Sequence, residues 1–312
     1  MSRRRTYWRS DAAQALTLLT GIPDPAAAMI ACADNLLDEA GVTEPPVPLK
    51  MLASFQGVRA IEKADMQPSG RLIAMPRTGL ALTGGHIIQV NRAESTTRQN
   101  FTIAHEIAHT LLPAYAAHPH DVEDVHTGDY PPTAEEEHLC DVGASALLLP
   151  ERWLRPAAQQ RPPSLASLQD IARQFKASLE ATARAVARLD VWPFALVFWE
   201  PGWRKADRAA AAQGDPIPPA LRVTRAIAAP SFGVYIPRNK SVAEDTSIYQ
   251  AYASGSPTHG IDRLTLRTAD TDVQAESVYV PLMRGAVLHP RVVSFLLRPH
   301  TDATPRDHSI SA

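Results

Sequence analysis

The segment whose residue types and spacing can do chemistry is His105-Glu106-Ile107-Ala108-His109. On an α-helix, side chains four apart are neighbours on one face. His105 and His109 can therefore offer their imidazoles to a single ion, as an HExxH pattern requires. Glu106 is offset by one position. It lies beside both imidazoles without being obliged to ligate, which suits a base that takes a proton from water. Ile103, Ala104, Ile107, Ala108 and Leu111 supply an apolar stripe for burial. The bland reading of the same string is a surface helix carrying two solvated histidines.

A catalytic zinc takes three protein ligands and keeps a fourth position open. The string Glu135-Glu136-Glu137-His138-Leu139-Cys140-Asp141, which runs on to Pro150, offers the third. Glu137, Cys140, Asp141 and Ala144 share one face at helical spacing. Glu137 is read as the third ligand, with Glu136 as the fallback. Asp141, one turn on, is placed to accept a hydrogen bond from the non-ligating nitrogen of a bound histidine. Glu135 and Glu136 then point outward, an acidic first turn that favours the helix dipole. Gly143, Ala144 and Ser145 are small enough to let this helix pack close to the histidine helix. The extended HExxHxxGxxH pattern is excluded, because Leu112 and Tyr115 stand where it needs Gly and His. The chemistry implied is hydrolysis of a peptide bond: the ion activates water and polarises the carbonyl, and Glu106 moves the proton. A donor for the developing oxyanion is still needed. Tyr115, His118, His120, His126 and Tyr130, between the two ligand segments, are the candidates, against a bland role as loop surface.

These side chains need two adjacent helices, and the surrounding pattern supplies them. Apolar residues at helical spacing predict helices over 25–40 and 49–55, stopped by Gly41 and Gly57. Short apolar runs at 58–61, 71–75, 79–82 and 87–90 predict a small, mostly antiparallel sheet. The run 87–90 is read either as sheet core or as an edge strand that aligns an extended peptide by main-chain hydrogen bonds. Ser95 or Thr96 caps the histidine helix, predicted through Leu112 and stopped by Pro113. A Pro-, His- and Asp-rich loop over 113–133 separates it from a helix over 134–149. Residues 164–189 predict helix again, broken near Lys176-Ala177-Ser178. Beyond them come a strand at 194–198, a linker over 201–219, strand-like runs at 221–227, 233–236, 264–266, 277–280 and 292–297, and a helix near 247–253.

The expected organisation is a flexible leader over 1–24, a metallopeptidase domain over 25–190, a strand and linker over 191–219, and a C-terminal α+β domain over 220–312. A length of 312 residues, 45% hydrophobic and 21% charged, allows two such domains. The net charge of −2 argues against wholesale nucleic-acid binding. Two isolated cysteines offer neither a disulfide framework nor a CxxC metal site. The apolar run at 15–19 is shorter than the roughly 7–15 residues of a signal-peptide core, and no stretch approaches the ~18 apolar residues of a membrane span. The cytoplasm is the default, with no membrane partner. The 27 prolines cluster at 45–48, 113–132, 150–163 and 216–219, where they act as punctuation.

The two strings together, Thr102 to Pro113 with its HExxH and Glu137 to Pro150 with Glu-x-x-Cys-Asp and a Leu-Leu-Leu-Pro ending, resemble the ImmA/IrrE family of bacterial HExxH metallopeptidases. The segments Pro45-Pro46-Val47-Pro48-Leu49 and Ile88-Gln89-Val90-Asn91 are similar to its N-terminal half. Gly143 stands where an aromatic is common and Leu149 where Met is usual. The resemblance covers about residues 25–190. It implies a zincin-like α+β domain and one divalent ion, taken as zinc with manganese as the alternative. It also implies a protein substrate, a helix-turn-helix transcriptional repressor cut during stress or mobile-element induction. Some members carry a GAF-like sensor C-terminally, with which the strand-rich residues 191–312 are compatible.

Two other function classes compete. Residues 171–188 resemble a helix-turn-helix, with Ser178 as cap and Arg184 and Arg188 towards phosphates. Asp170, Glu180 and Asp190 offset that charge, and a helical hairpin is the plainer reading. A metal-sensing regulator without turnover would keep the ligands but would have no use for Glu106.

Overall fold

The computed structural model describes residues 8, 10–75, 85–113, 134–204, 207–208, 217–266, 269–284 and 287–298. Contacts divide the chain into two compact units. The first runs to Gln160 and includes Leu168–Ala185; the second comprises Arg161–Ser167 and the residues from Val186 onward.

The first unit begins with α1 (Asp11–Thr20), inside the stretch expected to be an uncommitted leader. Ser10 caps it by accepting from the Ala13 amide, and Gly21, at φ 69°, ends it in a left-handed turn that glycine adopts without strain. Its buried residues are Ala12, Ala13 and Leu16. Two of these are alanines, so the apolar face carries little periodic signal although it is buried. Asp24 caps α2 (Pro25–Glu39), with Pro25 in the first turn, and α3 follows (Leu49–Phe55).

Three strands come next: β1 (Val58–Ala64), β2 (Gly70–Ala74) and β3 (His86–Asn91). Their order is β1-β3-β2, with β3 antiparallel to β2 but parallel to β1. The sheet is therefore mixed, not mostly antiparallel, because β3 inserts between the two strands that precede it. The central position also removes the edge-strand role considered for 87–90. Both hydrogen-bonding sides of β3 are already used, so it cannot align a peptide. The run expected at 79–82 lies outside the described residues.

Helix α4 (Thr96–His109) is capped by Ser95, whose side chain accepts from the Arg98 amide. It stops three residues short of Leu112. Leu111 and Leu112 donate instead to Ala108 and His109, tightening the chain into shorter turns before Pro113. Helix α5 (Ala134–Leu148) packs on α4, and α6 (Glu151–Gln159) follows with Pro156 inside it. In the sequence the prolines near 150–163 read only as punctuation, which conceals α6. Burial of Leu154, Ala157 and Ala158 outweighs the backbone bond that Pro156 cannot donate. Helices α7 (Leu165–Gln174) and α8 (Leu179–Leu189) are separated at the expected break, where Lys176 has φ 51°.

Packing explains why α4 and α5 lie close. Ala108 and Leu112 join Leu139, Cys140, Met29 and Leu16 in one buried cluster. Full burial of a side chain such as Leu or Met is worth about 1.5–3 kcal/mol. A Cβ built on Gly143 would stand 2.8 Å from the Ala108 Cβ and 3.0 Å from the Met29 sulfur. Glycine is what fits there, and an aromatic would displace both neighbours.

The second unit holds a five-stranded antiparallel sheet of order β5-β4-β10-β7-β6. Its strands are β4 (Phe194–Gly202), β5 (Ala220–Ala228), β6 (Thr258–Leu266), β7 (Ala269–Tyr279) and β10 (Val292–Leu297). Strands β8 (Leu282–Arg284) and β9 (Val287–His289) form a separate hairpin. Helix α9 (Ser247–Ser254) starts where the buried Asp262 carboxylate accepts from the Ser247 and Ile248 amides. The strand expected at 233–236 is irregular; Ile236 is still buried in the core beside Trp199 and Phe232. Among the described residues, no single helix is long and apolar enough to cross a membrane.

Candidate metal centre

Helix α4 turns His105, Glu106 and His109 to one region, as the four-residue spacing requires. The two imidazole centroids are 4.9 Å apart. Across from them, α5 presents Glu137. One of its carboxylate oxygens lies 3.1 Å from His105 Nε2, and the other 3.7 Å from His109 Nε2. Asp141, one turn further, lies 3.1 Å from His105 Nδ1. In the tautomer with its proton on Nδ1, His105 donates to Asp141 and leaves Nε2 free for a ligand.

Burial and charge set the proton affinities. The Glu106 side chain is buried, and that burial pushes its carboxyl up to about 7; the charge of Glu137 adds to the rise, and His105 opposes it. A divalent cation alongside would draw it back down. Burial lowers His109 to about 3, with His105 contributing, so its imidazole is neutral and available as a donor. His105 is also lowered by burial. The Asp141 hydrogen bond and the nearby carboxylates outweigh this, and the net shift is upward.

The first turn of α5 differs from expectation in one respect. Glu136, expected to point outward, is buried, whereas the Glu137 side chain is 47% exposed. Glu135 accepts a hydrogen bond from the Ser10 amide at 2.8 Å, and the His138 ring stacks on Trp8. The N-terminal segment thus packs along this turn and leaves Glu137 at the mouth of the site. Glu137, rather than the fallback Glu136, is the acid at ion-pair distance from both imidazoles. Tyr115, His118, His120, His126 and Tyr130 lie outside the described residues.

Two further residues at the site are given no role by sequence reasoning. Gly70 on β2 backs the site: a Cβ there would come within 2.1 Å of Thr102 Cγ2 and 3.3 Å of a Glu106 carboxylate oxygen. Its signal is masked by the turn-like Pro68-Ser69-Gly70 string. Cys140 falls on the expected face of α5, yet its spacing alone gives no reason to count it as a donor. Its sulfur and one ring nitrogen from each of His105 and His109 all lie within 4.8 Å of one another. Burial pushes its thiol well up, with Glu137 and Glu106 adding to the effect. Two imidazoles, a carboxylate and a thiol are donors that a zinc centre uses, so the residues present fit a divalent ion.

An HExxH helix facing an acidic helix across two imidazoles is the donor arrangement that metallopeptidase sites use. Residues 54–186 match the model of the IrrE N-terminal-like domain. The radiation response metalloprotease IrrE of Deinococcus radiodurans is 25% identical over 212 residues, which cover 67% of this chain and 60% of that protein. The protein of the same name from Deinococcus deserti is 35% identical over 104 residues, covering 33% of this chain and 36% of that one. The matched regions thus span less than two thirds of either relative. A Mycobacterium tuberculosis transcriptional regulator of known structure superposes with a TM-score of 0.51 at 13% identity, covering 93% of this chain and 81% of that one. That likeness concerns the fold alone. Over residues 54–186 the chain thus carries an IrrE N-terminal-like domain, and it is similar there to the ImmA/IrrE metallopeptidases.

Proposed function

We propose that the chain is a metal-dependent endopeptidase in which His105, His109 and Glu137 hold one divalent ion and Glu106 is the catalytic base. The ion is zinc in the first instance, with manganese as the alternative. The observation that carries the reading is the Glu137 carboxylate spanning both imidazoles, at 3.1 and 3.7 Å, beside a second, buried acid. When bound, a divalent ion supplies Lewis acidity towards water and the scissile carbonyl. Glu106 takes the proton of the attacking water and returns it to the departing amine nitrogen, so one group serves as base and then as acid. Burial raises its proton affinity in the metal-free chain, and a bound cation would draw it back down, leaving a carboxylate able to accept the proton.

Asp141 orients His105 by accepting from Nδ1. Asp141→Ala is therefore expected to weaken metal binding by about 10–100-fold, read by calorimetric titration of the metal-free protein. Unchanged affinity would remove Asp141 from the centre.

The substrate in this reading is a protein, a helix-turn-helix transcriptional repressor encoded nearby and cut under stress. The printed names of the Deinococcus relatives, radiation response metalloprotease, support a protein substrate and a stress setting, and the repressor is what the sequence resemblance implies. The second unit would be regulatory and the setting cytoplasmic. The helix-turn-helix reading of 171–188 is less favoured, because Arg184 is paired with Glu180 at 2.8 Å. The deciding experiment is co-expression with neighbouring repressors, comparing wild type, His105→Ala and Glu106→Gln. Shortening of a repressor by wild type alone is expected. Equal shortening by all three would end the peptidase reading, and DNA binding that survives metal removal would favour a regulator.

A further inference from the structure

The peptidase chemistry leaves one buried nucleophile unused. Cys140 is fully buried and forms no disulfide. Its plain role is as a small apolar filler, since it packs with Ala108, Leu112, Leu139 and Met29. A filler, however, has no need to stand where Cys140 stands. Its sulfur and one ring nitrogen of each of His105 and His109 lie within 4.8 Å of one another, a group that does not include Glu137, and Cys140 follows Glu137 by one turn of the same helix. Donors bound to one zinc ion at roughly 2.0–2.3 Å lie about 3.5 Å apart. Closing this cluster on an ion would draw the sulfur and the ring nitrogens together by up to about 1.3 Å.

We propose that Cys140 is a further direct donor to the ion held by His105, His109 and Glu137, a thiolate that biases the centre towards thiophilic ions such as zinc and cadmium and against manganese. The inference rests on the proposed metal centre and deepens it by naming the class of ion. Binding exchanges the sulfur–hydrogen bond for a sulfur–metal bond and releases the proton to solvent. Soft thiolate ligands favour zinc, whereas manganese prefers carboxylate, carbonyl and water oxygens. With four protein donors engaged the centre is closed. A centre that also activates water would have to exchange the sulfur or take a fifth position, since a catalytic zinc keeps one position open.

The test uses the full chain, stripped of metal and titrated with cobalt(II) and cadmium(II) while the near-ultraviolet spectrum is recorded. Wild type is expected to develop a thiolate-to-metal charge-transfer band that saturates at one ion per chain. The band should persist in Cys32→Ala and vanish in Cys140→Ala although cobalt still binds. Cys140→Ala should also lose at least ~10-fold in cadmium affinity and leave manganese affinity unchanged. Cys140→Ser, close in volume, guards against a packing defect and should behave like the alanine variant. Cobalt bound without a thiolate band in wild type, or with an equal band in Cys140→Ala, overturns the proposal. Cobalt that does not bind at all overturns both this proposal and the metal centre beneath it. Because the spectrum reports ligands and not turnover, an inactive protein that shows the band would sink the peptidase reading and leave the Cys140 assignment standing.

Discussion

Glu106→Gln is expected to retain its ion and to cut substrate about 10²–10⁴-fold more slowly than wild type. The amide is nearly the same size as the carboxylic acid, so the buried pocket beside Gly70 and Thr102 is preserved. It cannot accept and return a proton as a carboxylate does. Glu106 is not counted among the ligands, so the loss should appear in the rate and not in metal content. Elemental analysis of the purified variant, together with cleavage rates at saturating metal, checks both halves. A variant that loses its ion would make Glu106 a ligand, and a variant with full activity would require another base.

Glu137→Ala should have the opposite signature, with loss of the ion and of activity together. Removing an outer partner of a metal site costs roughly 10–100-fold in affinity, and removing a direct ligand should cost more. An ion present at 100 times its Kd stabilises a protein by about 2.7 kcal/mol. Wild type should therefore show a marked metal-dependent rise in unfolding temperature that Glu137→Ala lacks at the same metal concentration. Glu136→Gln should keep the rise, because Glu137 is the acid that spans both imidazoles. A normal rise in Glu137→Ala with a lost one in Glu136→Gln would reverse the assignment made from the geometry.

The helix that carries the two histidines is legible in the amino-acid sequence. Ser95 as its cap, the spacing of His105 and His109, and Pro113 beyond its end are local signals, and α4 follows them. The same holds for α3, for the strand cores of β1 and β3, and for the break between α7 and α8. Two elements are not legible because their local signals mislead. In α1 the buried face is largely alanine, and in α6 an internal proline reads as a stop, yet tertiary burial stabilises both.

By itself, the sequence determined which side chains share a helical face: His105 with His109, and Glu137 with Cys140 and Asp141. These relations follow from the 3.6-residue period within one element. Tertiary structure alone decided how the two faces meet. It brings Glu137 and Asp141 to His105 from 32 and 36 positions away, buries Glu136 instead of exposing it, and sets the Cys140 sulfur within 4.8 Å of a ring nitrogen of each imidazole. It also made β3 a central strand. The physical reason is that contacts between elements depend on which apolar faces pack together and how closely small residues such as Gly143 let them approach. No periodicity within a single segment encodes that distance.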